Sequence, residues 1–192
     1  MIDALGRTGQ LDDTLVIFTS DHGEMLGDHG IYLKGPYFYE PAVRVPLIIS
    51  HPGRIAAGRR AAALVELVDL APTLLDAAGL PRHPGMQGRS LLPLLSGATD
   101  RHRDDVYCEF YNANSRYDPR PFATMVRDER HKLVACHGCD EGELYDLRDD
   151  PNETRNLWSD PARVETKARM LKRLCDRMAE TLDPLPPREA NW

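Results

Sequence analysis

The segment Thr19-Ser-Asp-His-Gly-Glu-Met-Leu-Gly-Asp-His-Gly-Ile-Tyr-Leu-Lys-Gly35 gathers Asp21, His22, Glu24, Asp28, His29 and Lys34 into one short stretch with glycines between them. A carboxylate oxygen and an imidazole nitrogen are both good donors to a divalent metal, so the neighbours Asp21 and His22 are candidate ligands. Two donors do not complete a site. A metal takes roughly four to six, and the others must come from elsewhere. Lys34 is a compact cation suited to holding an anionic ester oxygen beside such a metal. The glycines let backbone approach a small anion closely. Metal plus lysine suits a reaction that builds negative charge on a tetrahedral group, which is sulfuryl or phosphoryl transfer. The competing reading is a solvated polar loop.

The elements around that segment give it a place. Leu15-Val-Ile-Phe18 is a short apolar, β-rich run and reads as a buried parallel strand. Asp21 and His22 then stand just past its end, and ligands of open α/β sheets bind beyond the carboxyl ends of strands. Residues 2–10 read as the last turns of a helix. Val45-Pro-Leu-Ile-Ile49 reads as a second buried strand, closed by Ser50-His-Pro-Gly53. Asp69 to Ala78 reads as a helix with Asp69 as N-cap, Pro72 in the first turn and Gly79 as C-cap.

After about residue 100 the pattern changes. Val106–Tyr111, Phe122–Val126, His131–Val134 and Leu144–Leu147 are short runs between turn-rich segments, which predicts a small antiparallel sheet. Asp160-Pro161 opens a last helix with Val164, Ala168, Leu171, Leu174 and Met178 on one stripe. The Pro-rich tail from Asp183 reads as extended or loose. The division expected is an α/β part over 1–100 and a small antiparallel-sheet subdomain with a terminal helix over 101–192.

With 28% charged and 42% hydrophobic residues the chain reads as globular. The net charge of -6, with basic residues scattered, argues against a nucleic-acid partner. The most apolar stretch, 61–80, contains Glu66, Asp69, Pro72 and Asp76, which argues against a membrane span. The start Met-Ile-Asp-Ala-Leu-Gly shows neither a basic nor an apolar leader region. Four scattered cysteines fit reduced thiols in a cytoplasmic protein. Cys136-His-Gly-Cys139 has zinc-like spacing but no second pair, so a hairpin turn with incidental thiols is the favoured reading. His51, His83 and His102 read as solvated turn residues. Tyr107, Phe110, Tyr111 and Tyr117 read as core of the small sheet rather than as a substrate pocket.

Several motifs, in order, resemble the sulfatase family of the alkaline-phosphatase-like superfamily. They are Val16-Ile-Phe-Thr-Ser-Asp-His-Gly-Glu24, Gly27-Asp-His-Gly30, Lys34 and Arg44-Val-Pro-Leu-Ile-Ile49, then Val68-Asp-Leu-Ala-Pro-Thr-Leu-Leu75 with Ala78-Gly79, and Met86-Gln-Gly-Arg-Ser-Leu91. Leu144-Tyr-Asp-Leu-Arg-Asp-Asp-Pro-Asn-Glu-Thr-Arg-Asn-Leu157 is similar to the family's C-terminal signature. The closest motif likeness is to the phosphonate monoester hydrolase and choline-sulfatase-like branch. The resemblance implies an α/β fold: part of a mixed or parallel sheet flanked by helices, followed by a small antiparallel sheet and a terminal helix.

It further implies metal-dependent hydrolysis of a small anionic ester, sulfate first and phosphonate or phosphate as the alternative. Asp21 and His22 would be metal ligands. Lys34 would contact the sulfate or phosphonate group, and His29 would join the catalytic side or structure the loop. Glu40 and Arg44 would hold the loop against the sheet. Oxygen donors suit Ca²⁺, while His22 suits Mn²⁺; Mg²⁺ and Zn²⁺ come after these. The family nucleophile lies in Cys/Ser-x-Pro-x-Arg, and none of the four cysteines fits; the family's early Asp-Asp metal pair is also missing. The chain therefore reads as a C-terminal fragment, inactive alone. A homo-oligomer, a missing N-terminal part or a non-catalytic partner-binding role would cover the sheet edge this leaves.

Overall fold

The computed structural model describes residues 1–111 and 121–182. In chain order it runs α1 (Ile2–Arg7), β1 (Val16–Thr19), α2 (Glu40–Val43), β2 (Leu47–Ser50), α3 (Leu70–Ala77), α4 (Leu92–Ser96), β3 (Val106–Tyr111), β4 (Phe122–Arg127), β5 (His131–Cys136), β6 (Gly142–Asp146) and α5 (Val164–Glu180). The tail from Asp183, and Tyr117, lie outside the described residues. No described helix is long and apolar enough to cross a membrane.

The four runs past residue 100 form one antiparallel sheet in the order β3-β4-β5-β6. Successive strand residues point to opposite faces, and here both faces are covered. On one, Val126, Leu133 and Leu144 meet Met170 and Leu174 of α5, together with Leu157. On the other, Ala123, Met125 and Val134 meet Phe38, which lies just before α2. The second contact lays the segment after the Asp21–Lys34 stretch directly on the sheet. Tyr107 and Phe110 pack against these two cores, while Tyr111 stays partly exposed beside Phe122. The Cys136–Cys139 pair sits where β5 turns into β6, and all four cysteines are free thiols.

The Asp160 carboxylate accepts the Ala162 N–H at 2.9 Å and so caps the 3-10 turn Pro161–Arg163 that leads into α5, whose own first turn has no side-chain cap. The buried stripe is shifted from the expected one. Met170 and Leu174 are its centre, with Leu171 and Met178 partly buried, and Val164 at the helix start stays exposed.

Two expectations fail in instructive ways. Strand β1 was expected to be buried and parallel. It pairs antiparallel with β2, Val16 opposite Ser50 and Thr19 opposite Leu47. Phe18 and Ile48, cross-strand partners, are 60% and 61% exposed. An apolar run signals cover on both faces, and among the described residues only one face of this pair is covered.

Asp69 was expected to cap α3. It does precede the helix, and Gly79 follows it at φ 68°. Its carboxylate, fully buried, instead accepts the backbone N–H of Glu66 at 2.9 Å and of Arg89 at 2.7 Å, the guanidinium of Arg103, and a bond from His102 Nε2 at 3.0 Å. Burial alone would raise this carboxyl, but Arg103 and the two N–H groups outweigh it and hold it below the usual carboxylate range. His102 is thus a buried partner, and His51 is buried too, so neither is the solvated turn residue expected.

Candidate metal and anion site

Strand β1 ends at Thr19 and the chain turns at once. Ser20 Oγ donates to the His22 carbonyl at 2.7 Å, and the His22 N–H donates to Asp21 Oδ1 at 3.0 Å. That N–H, then the charge of the imidazole, hold the Asp21 carboxyl below its usual range. His22 Nδ1 lies 2.7 Å from the Gly23 carbonyl. A carbonyl only accepts, so Nδ1 is the donor of that contact, and Nε2 is left as the ring nitrogen on the Asp21 side. Nε2 lies 3.6 Å from Asp21 Oδ2, and the two side chains are 42% and 84% exposed. An anionic oxygen and a free imidazole nitrogen side by side fit one divalent cation. Among the described residues no cluster of three or more metal-binding side chains forms, so Asp21 and His22 by themselves do not complete a metal site.

Gly23 explains how the pair is aimed. Its N–H donates to the Ala42 carbonyl of α2 at 2.8 Å. A Cβ built on Gly23 would lie 1.9 Å from the Pro41 oxygen, so no other residue fits without moving α2. Beyond it the chain reverses tightly, Gly27 N–H to the Ile31 carbonyl at 2.9 Å, with Leu26, Gly27, His29 and Gly30 all at positive φ. Met25 is buried inside this reversal.

His29 does not stand with the donor pair through any bond. Its ring stacks on Tyr39 at 3.9 Å and 12°, and Tyr39 reaches Glu143 of β6 at 3.4 Å. It borders an open groove with Asp28, Arg44 and the Pro151–Thr154 segment. Lys34 is exposed and makes no ion pair among the described residues, which leaves its charge available.

Sequence reasoning gave Glu40 a loop-holding place but missed its partners. Glu40 Oε1 lies 2.8 Å from the Lys132 ammonium and 3.3 Å from Arg127 Nε. Lys132 also lies 2.6 Å from Glu153 Oε1 and donates to the Phe38 carbonyl at 2.8 Å. Glu153 Oε2 accepts the Glu40 N–H at 2.7 Å, serving the uncapped first turn of α2. Burial would raise the Glu40 carboxyl; Lys132 and the two arginines prevail and lower it. Arg44, 3.8 Å from Glu40, is an exposed outlier of this cluster. The signal in the sequence was Lys132 within an otherwise apolar strand.

The nucleophile pattern also admits a serine. Ser50-His-Pro-Gly-Arg54 has the Ser-x-Pro-x-Arg spacing. The register removes it from this site. Ser50 lies opposite Val16, at the far end of β1 from Asp21, about 10 Å or more away along the strand.

An exposed carboxylate–imidazole pair at a strand's carboxyl end, with a lysine close by in sequence, is a candidate site for a metal and a tetrahedral oxyanion. Residues 27–180 match the family described as N-sulphoglucosamine sulphohydrolase, C-terminal. The chain is 40% identical over 164 residues to a choline-sulfatase of Rhizobium meliloti (strain 1021), covering 84% of this chain and 30% of that protein. It is 36% identical over 162 residues to an N-acetylglucosamine-6-O-sulfatase of Bacteroides thetaiotaomicron, covering 82% of this chain and 29% of that protein. It superposes on the phosphonate monoester hydrolase of Agrobacterium radiobacter with a TM-score of 0.84 at 33% identity, covering 95% of this chain and 38% of that one. The chain belongs to the sulfatase family, within the alkaline-phosphatase-like superfamily, and matches its C-terminal region. It spans about a third of the length of these relatives.

Proposed function

We propose that this chain supplies the metal-and-anion side of a sulfatase active site serving metal-dependent hydrolysis of sulfate esters. The observation that carries this reading is the exposed Asp21–His22 pair, with Nδ1 engaged by the Gly23 carbonyl and Nε2 3.6 Å from the carboxylate. Asp21 and His22 hold the cation, Ca²⁺ or Mn²⁺ by their donor chemistry. When bound, that cation supplies positive charge that acidifies an attacking hydroxyl and takes up charge on the ester oxygens. Lys34 offers its ammonium to a sulfuryl oxygen or to the leaving oxygen. Phosphonate or phosphate ester hydrolysis is the second reading, favoured by the likeness to the phosphonate monoester hydrolase.

Titration of the chain with Mn²⁺ and Ca²⁺, followed by the NMR signals of the His22 ring, tests the donor pair. Asp21→Ala and His22→Ala are each expected to abolish the response, and an unchanged affinity in both sinks the reading. The activity is tested on the product purified from its native cells, with its intact mass taken first. A mass well above 21.6 kDa directs the assay to the longer product, on aryl sulfate against aryl phosphonate monoester. A mass equal to the chain, with no turnover of either ester, favours a partner-binding role instead.

A further inference from the structure

The Asp21–His22 pair is exposed, yet its support runs inward to a fully buried lysine. Gly23 hangs on α2 through the Ala42 carbonyl, and α2 begins at Glu40. Glu40 is gripped from two sides by the C-terminal sheet region: its carboxylate by Lys132 and Arg127, its N–H by Glu153. Lys132 is 0% and Glu153 2% exposed. Glu153 holds φ 55°, a backbone conformation that non-glycine residues rarely adopt. The turn that forces it is itself fixed, the Asp150 carboxylate accepting Thr154 Oγ1 at 3.0 Å and the Arg155 N–H at 2.8 Å.

Apolar side chains would fill such a space with equal or greater stability, because burying charges costs desolvation. What a lysine between two carboxylates adds is direction. Ion pairs at 2.6 and 2.8 Å fix where α2 starts, and a helix of four residues has no slack to absorb a shift.

We propose that Glu40, Lys132 and Glu153 form a positioning clamp that sets the presentation of Asp21 and His22, so that the C-terminal signature segment tunes metal affinity without touching the metal. This rests on the metal reading of the loop. The ligands' outer partners commonly change affinity by roughly 10–100-fold, which sets the size of effect to look for.

The test uses Glu153→Gln, which keeps an oxygen for the Glu40 N–H but removes the charge facing Lys132, and Leu174→Ala, which weakens the α5 core instead. Mn²⁺ affinity is read from paramagnetic broadening of the His22 and Gly23 signals, and the Gly23–Ala42 bond from exchange of the Gly23 amide. Both are measured where circular dichroism shows each variant folded. The expected result is about tenfold weaker Mn²⁺ binding and faster Gly23 exchange in Glu153→Gln, with neither change in Leu174→Ala. Unchanged affinity and exchange in Glu153→Gln overturn the clamp, as do equal changes in both variants. If the parent chain binds no Mn²⁺, the metal reading fails by itself, and Gly23 exchange still decides whether the clamp exists.

Discussion

Two charged clusters of this chain are arranged in opposite ways. At the end of β1, Asp21 and His22 are exposed, with His22 Nε2 3.6 Å from Asp21 Oδ2. Under α2, Glu40 and Glu153 are closed around the ammonium of Lys132. The first leaves its charge unspent within the chain; the second neutralises its charge internally. A protein keeps an anionic oxygen and a free imidazole open only at the expense of local electrostatics, so the open pair is where a ligand is looked for. The closed cluster is where the fold is looked for. Asp69, held by Arg103 and two backbone N–H groups, belongs with the closed kind although it too lies in a family motif.

The comparison breaks most readily at Lys132. Lys132→Met leaves the buried Glu153 carboxylate without its cation and Glu40 with only its arginines, and an unpaired buried charge of this kind costs about 3–5 kcal/mol. Urea denaturation is the measurement, and a loss below about 1 kcal/mol would mean the cluster is wetter than it looks. Asp69→Asn comes next. It keeps the shape but takes from buried Arg103 one of its two carboxylates, leaving Glu66 at 3.3 Å, an expected loss of about 2–4 kcal/mol. Gly23→Ala follows, driving a Cβ into the Pro41 carbonyl at an expected cost of about 1–3 kcal/mol. Its signature is local: the Gly23 amide should lose protection while the sheet keeps its own.

Acid titration sharpens the same contrast. The carboxyls of Asp69 and Glu40 are lowered in the folded chain. The unfolded chain then binds protons first as pH falls, so their stabilisation is full above the usual carboxylate range and is lost as pH drops through it. Glu143 has the opposite sign. Burial raises its carboxyl, only partly offset by Tyr39, and Glu153 nearby raises it further. Its contribution is full below the ordinary glutamate value and lost as pH rises through the raised one. Glu143→Gln should therefore flatten the fall in melting temperature from mildly acidic to neutral pH while leaving the acid limb in place.

Much of this was legible in the sequence, and the boundary of legibility is physical. The four short strands and the final helix were readable because turn residues and apolar spacing are local signals. The candidate pair Asp21 and His22 needed no folding to find, since the two residues are adjacent. The exposed face of β1 and β2 was not, because an apolar run states what a strand tolerates and not what covers it. The Lys132 cluster joins residues 40, 132 and 153, and no local pattern links positions that far apart. Asp69 looked like a helix cap because caps are local; its true partners, Arg89, His102 and Arg103, arrive from later in the chain.

The smallest expected effect on stability is the most informative about function. Asp21→Asn removes a charge that the fold does not use: the carboxylate accepts only from its neighbours Ser20 and His22, and its one ion pair is to His22. An exposed side chain bonded only to adjacent residues does not hold elements together. The thermal midpoint should stay within the scatter of repeat melts, while the response of the His22 ring to Mn²⁺ disappears. His22→Gln should behave alike, because an amide at that place lacks the imidazole lone pair. If Asp21→Asn instead lowers the midpoint as much as Gly23→Ala does, the pair is structural after all. The open and closed clusters would then differ in exposure but not in purpose.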